Sequence, residues 1–341
     1  MLLALDEWCW LHAGEPMKSF DKYLEDIYNG IDLDFDRASE LATTPDPHEL
    51  FAAADHIRKH FHGDSFDLCS IINVKSGKCS EDCRFCAQSS HYDADIDSYD
   101  IVDVGEALAQ GRDSDRHGVR RLSLVSAGRQ AGKKDLAAYG RIYAKLSEQT
   151  RLRFCASMGM LTLEKAEMLK SFGVERYHCN LEACRKFFPR VCTTHSWDEK
   201  VETIKIAQQA GFEVCSGGII GMGESLDHRL ELAFELRQLN ILSIPINILT
   251  PIANTPLADV PPLSLSEVLV TLAMFRLINP RAVVRLAGGR NLLQADQYRC
   301  FTAGANGAIV GNYLTTAGNS LAEDLENIHQ LGYSLQRHDH E

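Results

Sequence analysis

The chain has 341 residues, 45% of them apolar, with 35 basic and 47 acidic side chains and a formal net charge of −12. That length and composition suit one large or two ordinary globular domains with a sizeable core. The acidic balance and the lack of a strongly basic stretch argue against nucleic acid as the main partner, and no apolar run is long enough to span a bilayer.

The opening Met1-Leu-Leu-Ala-Leu-Asp-Glu-Trp8 has no basic segment ahead of an apolar run, so it does not read as a signal peptide. A cytoplasmic location is expected, where thiols stay reduced and free for metal. Residues 1–65 read as an N-terminal helical extension that caps a larger domain. Helices are expected near 20–28 and 48–60, the second following the helix-starting turn Thr43-Thr-Pro-Asp-Pro47.

From residue 66 a short apolar or β-branched run alternates with an amphipathic helical segment. Strands are expected near 68–73, 121–125, 152–155, 175–180, 214–217, 243–247, 284–287 and 308–310. Helices are expected near 103–111, 135–149, 163–172, 197–210, 227–239, 264–278, 291–303 and 321–331. Gly173, Gly211 and Gly304 fall where helices should stop. Eight strand–helix units predict an α/β fold, a (β/α)8 TIM barrel over 66–333, followed by a polar tail at 334–341. An open doubly wound sheet is the competing architecture, but no G-x-G-x-x-G follows the first strand.

Cys79, Cys83 and Cys86 fall in one loop after the first strand, spaced C-x3-C-x2-C. Three thiolates can hold three irons of a [4Fe–4S] cluster and leave the fourth open for substrate or cofactor. Zinc is an alternative, with His91 as a fourth ligand, but the usual second ligand pair is missing. A disulfide framework is disfavoured by the odd count of eleven cysteines in so long a chain. In such barrels chemistry gathers at the C-terminal strand ends. Ser123, Cys155, His178, Asn180, Cys215, Asn247 and Arg285 recur there on successive strands.

The cysteine loop, with Phe85 before its last cysteine, resembles the signature of radical S-adenosylmethionine enzymes. In that superfamily S-adenosylmethionine chelates the open iron, and one electron cleaves it to a hydrogen-abstracting 5′-deoxyadenosyl radical. The run from Gly77 to Tyr92 is similar to the cluster segment of the biotin synthase family. Further similar stretches are His178–Glu182, Val214–Glu224, Ile244–Ile248, Asn254–Leu257, Val284–Arg290 and Ala303–Asn306. Together they cover roughly residues 20 to 333 in the family's order.

This resemblance implies sulfur insertion between C6 and C9 of dethiobiotin, with the sulfur donated by an auxiliary iron–sulfur cluster in the barrel. It assigns catalytic roles to Cys79, Cys83, Cys86 and Arg285. It places Phe85, Tyr92, Ser126, Ala127, Asn180, Glu182, Lys200, Gly217, Gly218 and Gly221 around S-adenosylmethionine. Asn180 and Asn247 are implied to hold the ureido ring of dethiobiotin. Lys200 and Glu182 stand where the family usually has arginine and aspartate.

One departure is informative. The common members hold a [2Fe–2S] donor cluster with three cysteines and an arginine, and here one of those cysteine positions is Ser123. Hydroxyls bind iron poorly compared with thiolates. By resemblance to the second type of family member, Cys155, Cys192 and Cys215 are expected to hold a [4Fe–5S] or [4Fe–4S] auxiliary cluster. Cys179 and Cys184 are alternative ligands, and Cys9, Cys69 and Cys300 are read as packing residues. Implied partners are a reducing flavodoxin or ferredoxin and a second copy in a homodimer. Competing functions are another radical enzyme on the same barrel, such as a maturase or methylase, and a non-catalytic iron–sulfur carrier.

Overall fold

A computed structural model describes residues 20–44, 46–311, 314 and 320–335. Cys9 and the stretch from 336 onward lie outside the described residues. Nine parallel strands form the sheet: β1 (Asp67–Lys75), β2 (Arg121–Ser126), β3 (Arg153–Ser157), β4 (Val174–His178), β5 (Glu213–Cys215), β6 (Gly218–Ile220), β7 (Ser243–Ile248), β8 (Val283–Leu286) and β9 (Gly307–Ile309). They run in the order β5-β4-β3-β2-β1-β9-β8-β7-β6, and pairing of β5 with β7 closes the ring. β5 and β6 are the two halves of the fifth barrel strand, so the closed barrel has eight staves.

The break between β5 and β6 has a local cause. The Gly217 N–H donates to Asn180 Oδ1 at 3.0 Å, and the Gly217 carbonyl accepts from Glu182 N–H at 3.1 Å. These bonds draw the chain toward the loop after β4 before β6 rejoins β7. A Cβ on Gly217 would lie 1.9 Å from the Pro245 carbonyl oxygen, and one on Gly218 would lie 2.5 Å from that of Glu182. Only glycine permits so close a backbone approach.

The helices begin where their sequences provide caps. Asp46 accepts from His48 N–H, with Pro47 in the first turn of Pro47–His62. Reciprocal Ser–Glu capping boxes start Trp197–Gln209 and Leu265–Ile278. The expected helix over 291–303 is instead a run of tight 3₁₀ turns, Arg290–Thr302, broken at Gln294 where φ is +49°. Ahead of β1, helices Asp21–Tyr28, Phe35–Ala42 and Pro47–His62 pack beneath the barrel, the last against Leu265–Ile278. The last described residues pair with the start of the barrel through Ser334, whose N–H donates to the Asp64 carbonyl at 2.8 Å.

Candidate active site

The three-cysteine loop leaves β1 through a sharp bend. Gly77 (φ +76°) and Lys78 (φ +54°) both take left-handed conformations. The loop then folds back on itself: Cys79 N–H donates to Gln88 O at 2.9 Å, and Ser90 N–H returns to Cys79 O at 2.8 Å. The Cys86 N–H donates to Cys83 O at 2.9 Å, so the second and third cysteines sit on one tight turn. All three remain partly exposed at the barrel mouth. Burial pushes the Cys86 thiol up to about 11, so metal binding there must displace a proton. His91 is not poised as a fourth ligand, because its Nε2 lies 3.0 Å from the Ser80 carbonyl.

The acidic pair between the first two cysteines anchors this loop. Asp82 accepts N–H bonds from Thr193 at 2.8 Å and Thr194 at 3.1 Å. Glu81 accepts from Thr194 Oγ1 at 3.0 Å and pairs with His195 Nδ1 at 2.5 Å. Tyr92 donates to the Asp82 carbonyl at 2.5 Å. It therefore braces the loop and does not line the cavity.

This anchoring fixes Cys192. Its thiol meets Asp82 Oδ1 at 3.1 Å and His195 Nδ1 at 3.3 Å, and its sulfur lies within 4.8 Å of that of Cys83. The structure therefore does not bring Cys192 to Cys155 and Cys215, because the Asp82–Thr193–Thr194 bonds hold it against the mouth loop. Cys184 lies outside the barrel with His228 and Glu231. Cys179 is buried near the Lys200 backbone, and Cys300 packs in the core.

Inside the barrel a cavity of about 310 Å³ is lined by Cys69, Phe85, Ser123, Cys155, Ser157, Arg176, His178, Asn180, Glu182, Cys215, Asn247 and Arg285, among others. Cys69 is the correction that matters most. It is buried, but it faces this cavity together with Cys155 and does not pack in the core, and its Sγ donates to the Ser70 carbonyl at 3.7 Å. Strand register explains it. Ile71 pairs with Ser123 and Cys69 with Arg121, so Cys69 shares the inward parity of Ser123. A parity count on the first strand, set against Ser123, finds Cys69 on the inward face.

Beneath the thiols lies a charged floor. Arg285, 1% exposed, donates to Ser243 Oγ at 2.9 Å and to Asp67 Oδ1 at 2.5 Å, with Cys215 Sγ 3.9 Å away. Arg121 and Arg176 share Glu213, at 3.0 and 2.7 Å. Burial raises the Cys215 thiol, but the His178 hydrogen bond and the Arg285 and Arg176 charges outweigh it and bring it to about 6. The Cys69 hydrogen bond, against burial and together with Arg176 and Arg121, holds Cys155 below the usual thiol range. Cys69 is held the other way, well above the usual thiol range, so this is a layer of cysteine sulfurs over guanidinium groups, a donor set for an anionic iron–sulfur group once Cys69 gives up its proton. Ser123 Oγ and Arg285 Nε are buried without a partner among the described residues, as expected of groups awaiting a ligand.

The residues expected around the cofactor divide. Asn180 and Glu182 line the cavity just past the end of β4, not on it. Asn180 Nδ2 donates to Glu182 Oε2 at 3.3 Å, and Lys200 Nζ lies 3.9 Å from Glu182 Oε1. Asn247 on β7 donates to the Gly218 carbonyl at 3.2 Å and accepts from Gly288 N–H at 2.9 Å. One N–H and one acceptor site on its amide stay available for a ligand. Ser126 Oγ is 2.8 Å from Tyr139 Oη, and the Ala127 N–H is taken by the Lys75 carbonyl at 3.0 Å. Gly217 and Gly218 are required by strand packing, as above, and Gly221 turns the chain after β6 with φ +95°.

A closed parallel barrel with an open three-cysteine loop at its mouth defines the class: a radical S-adenosylmethionine enzyme. The Radical SAM superfamily profile matches residues 73–236, and the Biotin and Thiamin Synthesis associated domain matches residues 245–334. A methylornithine synthase structure superposes with a TM-score of 0.81 at 16% identity, over 92% of this chain and 97% of its own. The FeFe-hydrogenase maturase of Carboxydothermus hydrogenoformans gives 0.76 at 16% identity, over 93% and 79%. At that identity the likeness speaks for the fold alone. Sequence relatives go further. The chain is 54% identical to a biotin synthase of Desulfotalea psychrophila, over 91% of this chain and 93% of the relative. It is 47% identical to one of Clostridium tetani, over 91% and 97%. The chain belongs to the biotin synthase family. It is a radical enzyme of the sulfurtransferase type and uses S-adenosylmethionine and a [4Fe–4S] cluster.

Proposed function

We propose that this protein inserts sulfur into dethiobiotin at C6 and C9, and that the sulfur comes from an auxiliary cluster held by Cys69, Cys155 and Cys215. The observation that carries this reading is the convergence of those three thiols in one cavity, above a floor of Arg121, Arg176 and Arg285. Cys69 takes the ligand role that the sequence had suggested for Cys192. Three thiolates suit a [4Fe–5S] or [4Fe–4S] group with one iron left for a non-protein ligand.

When bound, the two clusters and S-adenosylmethionine supply hydrogen-atom abstraction from unactivated carbon and the sulfur atom itself. The protein supplies placement and a dry, electrostatically biased enclosure. Cys79, Cys83 and Cys86 would hold the mouth cluster. Asn180, Glu182 and Lys200 form a polar wall suited to the ribose and carboxylate of S-adenosylmethionine, with Phe85, Ser126 and Ala127 around it. The spare donor and acceptor of Asn247 match a cyclic urea, which presents both groups in one plane. Arg285 keeps its Nε free to donate toward the auxiliary group, while Asp67 and Ser243 fix its other nitrogens. The described helices ahead of β1 serve as a packing cap. A flavodoxin or ferredoxin of the reducing cytoplasm is the expected electron donor, and a homodimer the expected assembly. Among the described residues no helix is long and apolar enough to cross a membrane.

The test is turnover by anaerobically reconstituted protein whose clusters carry heavy-isotope sulfide, given dethiobiotin, S-adenosylmethionine and a reduced flavodoxin. Heavy sulfur in the biotin formed supports the reading. Cleavage of S-adenosylmethionine without any biotin would overturn it.

A further inference from the structure

Outside the barrel, the loop after β4 meets helix Leu226–Gln238 at a cluster that the sulfur chemistry does not use. Cys184, His228 and Glu231 each place one ligand atom within 4.8 Å of the other two. Cys184 is 1% exposed, and His228 and Glu231 are half-buried. His228 and Glu231 are three residues apart in the same helix and so share one face. The imidazole is already oriented: Ser225 N–H lies 3.2 Å from His228 Nδ1, and the Phe187 ring packs 5.3 Å away. Glu235, one turn on, is lifted to about 7 by burial, with the Glu231 charge acting in the same direction against the backbone bond and the charge of Arg185. The exposed Lys186 lies 3.8 Å from Glu231.

We propose that Cys184, His228 and Glu231 form a site for a divalent transition ion of the zinc type, with a fourth position open to water. One thiolate, one imidazole and one carboxylate form a donor set that suits zinc and disfavours magnesium or calcium. Binding converts the Cys184 S–H to a metal thiolate and releases that proton to solvent. The ion would pin the loop that carries Asn180 and Glu182 to the barrel's outer helix layer. It is thus a structural clamp remote from the reacting atoms.

The experiment uses holoprotein, in which the cluster cysteines are already occupied by iron. The protein is dialysed free of loose metal and titrated with zinc. Metal content is read by mass spectrometry and ligation by absorption at the zinc edge. One zinc per chain with a single sulfur scatterer is expected, together with a higher melting temperature. Cys184→Ala and Glu231→Gln should each weaken zinc binding by more than about tenfold, with iron content and S-adenosylmethionine cleavage unchanged. Unchanged iron content also reports an intact fold in each variant. Equal zinc uptake by the parent and both variants, or a zinc edge without sulfur, would overturn the proposal.

Discussion

Cys69→Ala separates an auxiliary set of Cys69, Cys155 and Cys215 from one of Cys155, Cys192 and Cys215. Its thiol lines a cavity of about 310 Å³, so truncation enlarges an existing space and creates no new void. The stability cost is then small, about 1 kcal/mol or less. The mouth loop is untouched, so S-adenosylmethionine cleavage should persist. Iron should fall from about eight to about four per chain, and biotin formation should be lost. Cys192→Ala is the matched control. Its thiol touches Asp82 and His195 and lies within 4.8 Å of that of Cys83, so it should keep the inner cluster and alter the spectrum and cleavage rate of the mouth cluster. The assay is paired iron and sulfide analysis, Mössbauer spectroscopy, and quantitation of 5′-deoxyadenosine and biotin for both variants. If Cys69→Ala keeps eight irons and makes biotin while Cys192→Ala loses four, the cavity argument is wrong.

Cys86→Ala should abolish S-adenosylmethionine cleavage, measured as 5′-deoxyadenosine release, because it removes one of three ligands on a tight turn. Asn247→Ala should weaken dethiobiotin binding by about 1–3 kcal/mol and S-adenosylmethionine binding far less, as read by parallel titrations; equal losses would argue against its ureido role. Gly218→Ala would set a Cβ 2.5 Å from the Glu182 carbonyl and should lower stability by about 1–3 kcal/mol, visible as a reduced urea midpoint. His62 supplies a pH test. Burial and the Arg276 charge lower it to about 4, below its unfolded value of about 6.5. The unfolded chain thus binds the proton first, and stability falls as pH drops from about 6.5 to about 4, by on the order of 3 kcal/mol in total. His62→Gln should flatten that part of the stability–pH curve.

Much of the barrel is legible in the sequence because strand and helix periods alternate cleanly and the caps are local. The seven intact strands begin and end within two residues of where the pattern puts them. Two features depend on tertiary geometry. The fifth strand breaks because Asn180, from a neighbouring loop, captures the Gly217 N–H. The stretch 290–302 winds as 3₁₀ turns with a break at Gln294, which its helix-like composition does not announce.

The site divides in the same way. The mouth loop is readable because its three cysteines are adjacent in sequence and their spacing carries the chemistry. The inner set is scattered over β1, β3 and β5, where a cysteine resembles ordinary core filling. The resemblance points to Cys192, yet Asp82 holds its neighbours Thr193 and Thr194 at the mouth. Cys69 carries no such pointer. Nothing beside it in sequence is unusual, and only its register against Ser123 on β2 turns it inward.

Iron anomalous diffraction from anaerobic crystals of the reconstituted protein locates both clusters at once. Two separate iron sites are expected: one bonded to Cys79, Cys83 and Cys86, the other to Cys69, Cys155 and Cys215 with Arg285 alongside. An inner cluster bound through Cys192, or a barrel cavity without iron in protein that makes biotin, would contradict it.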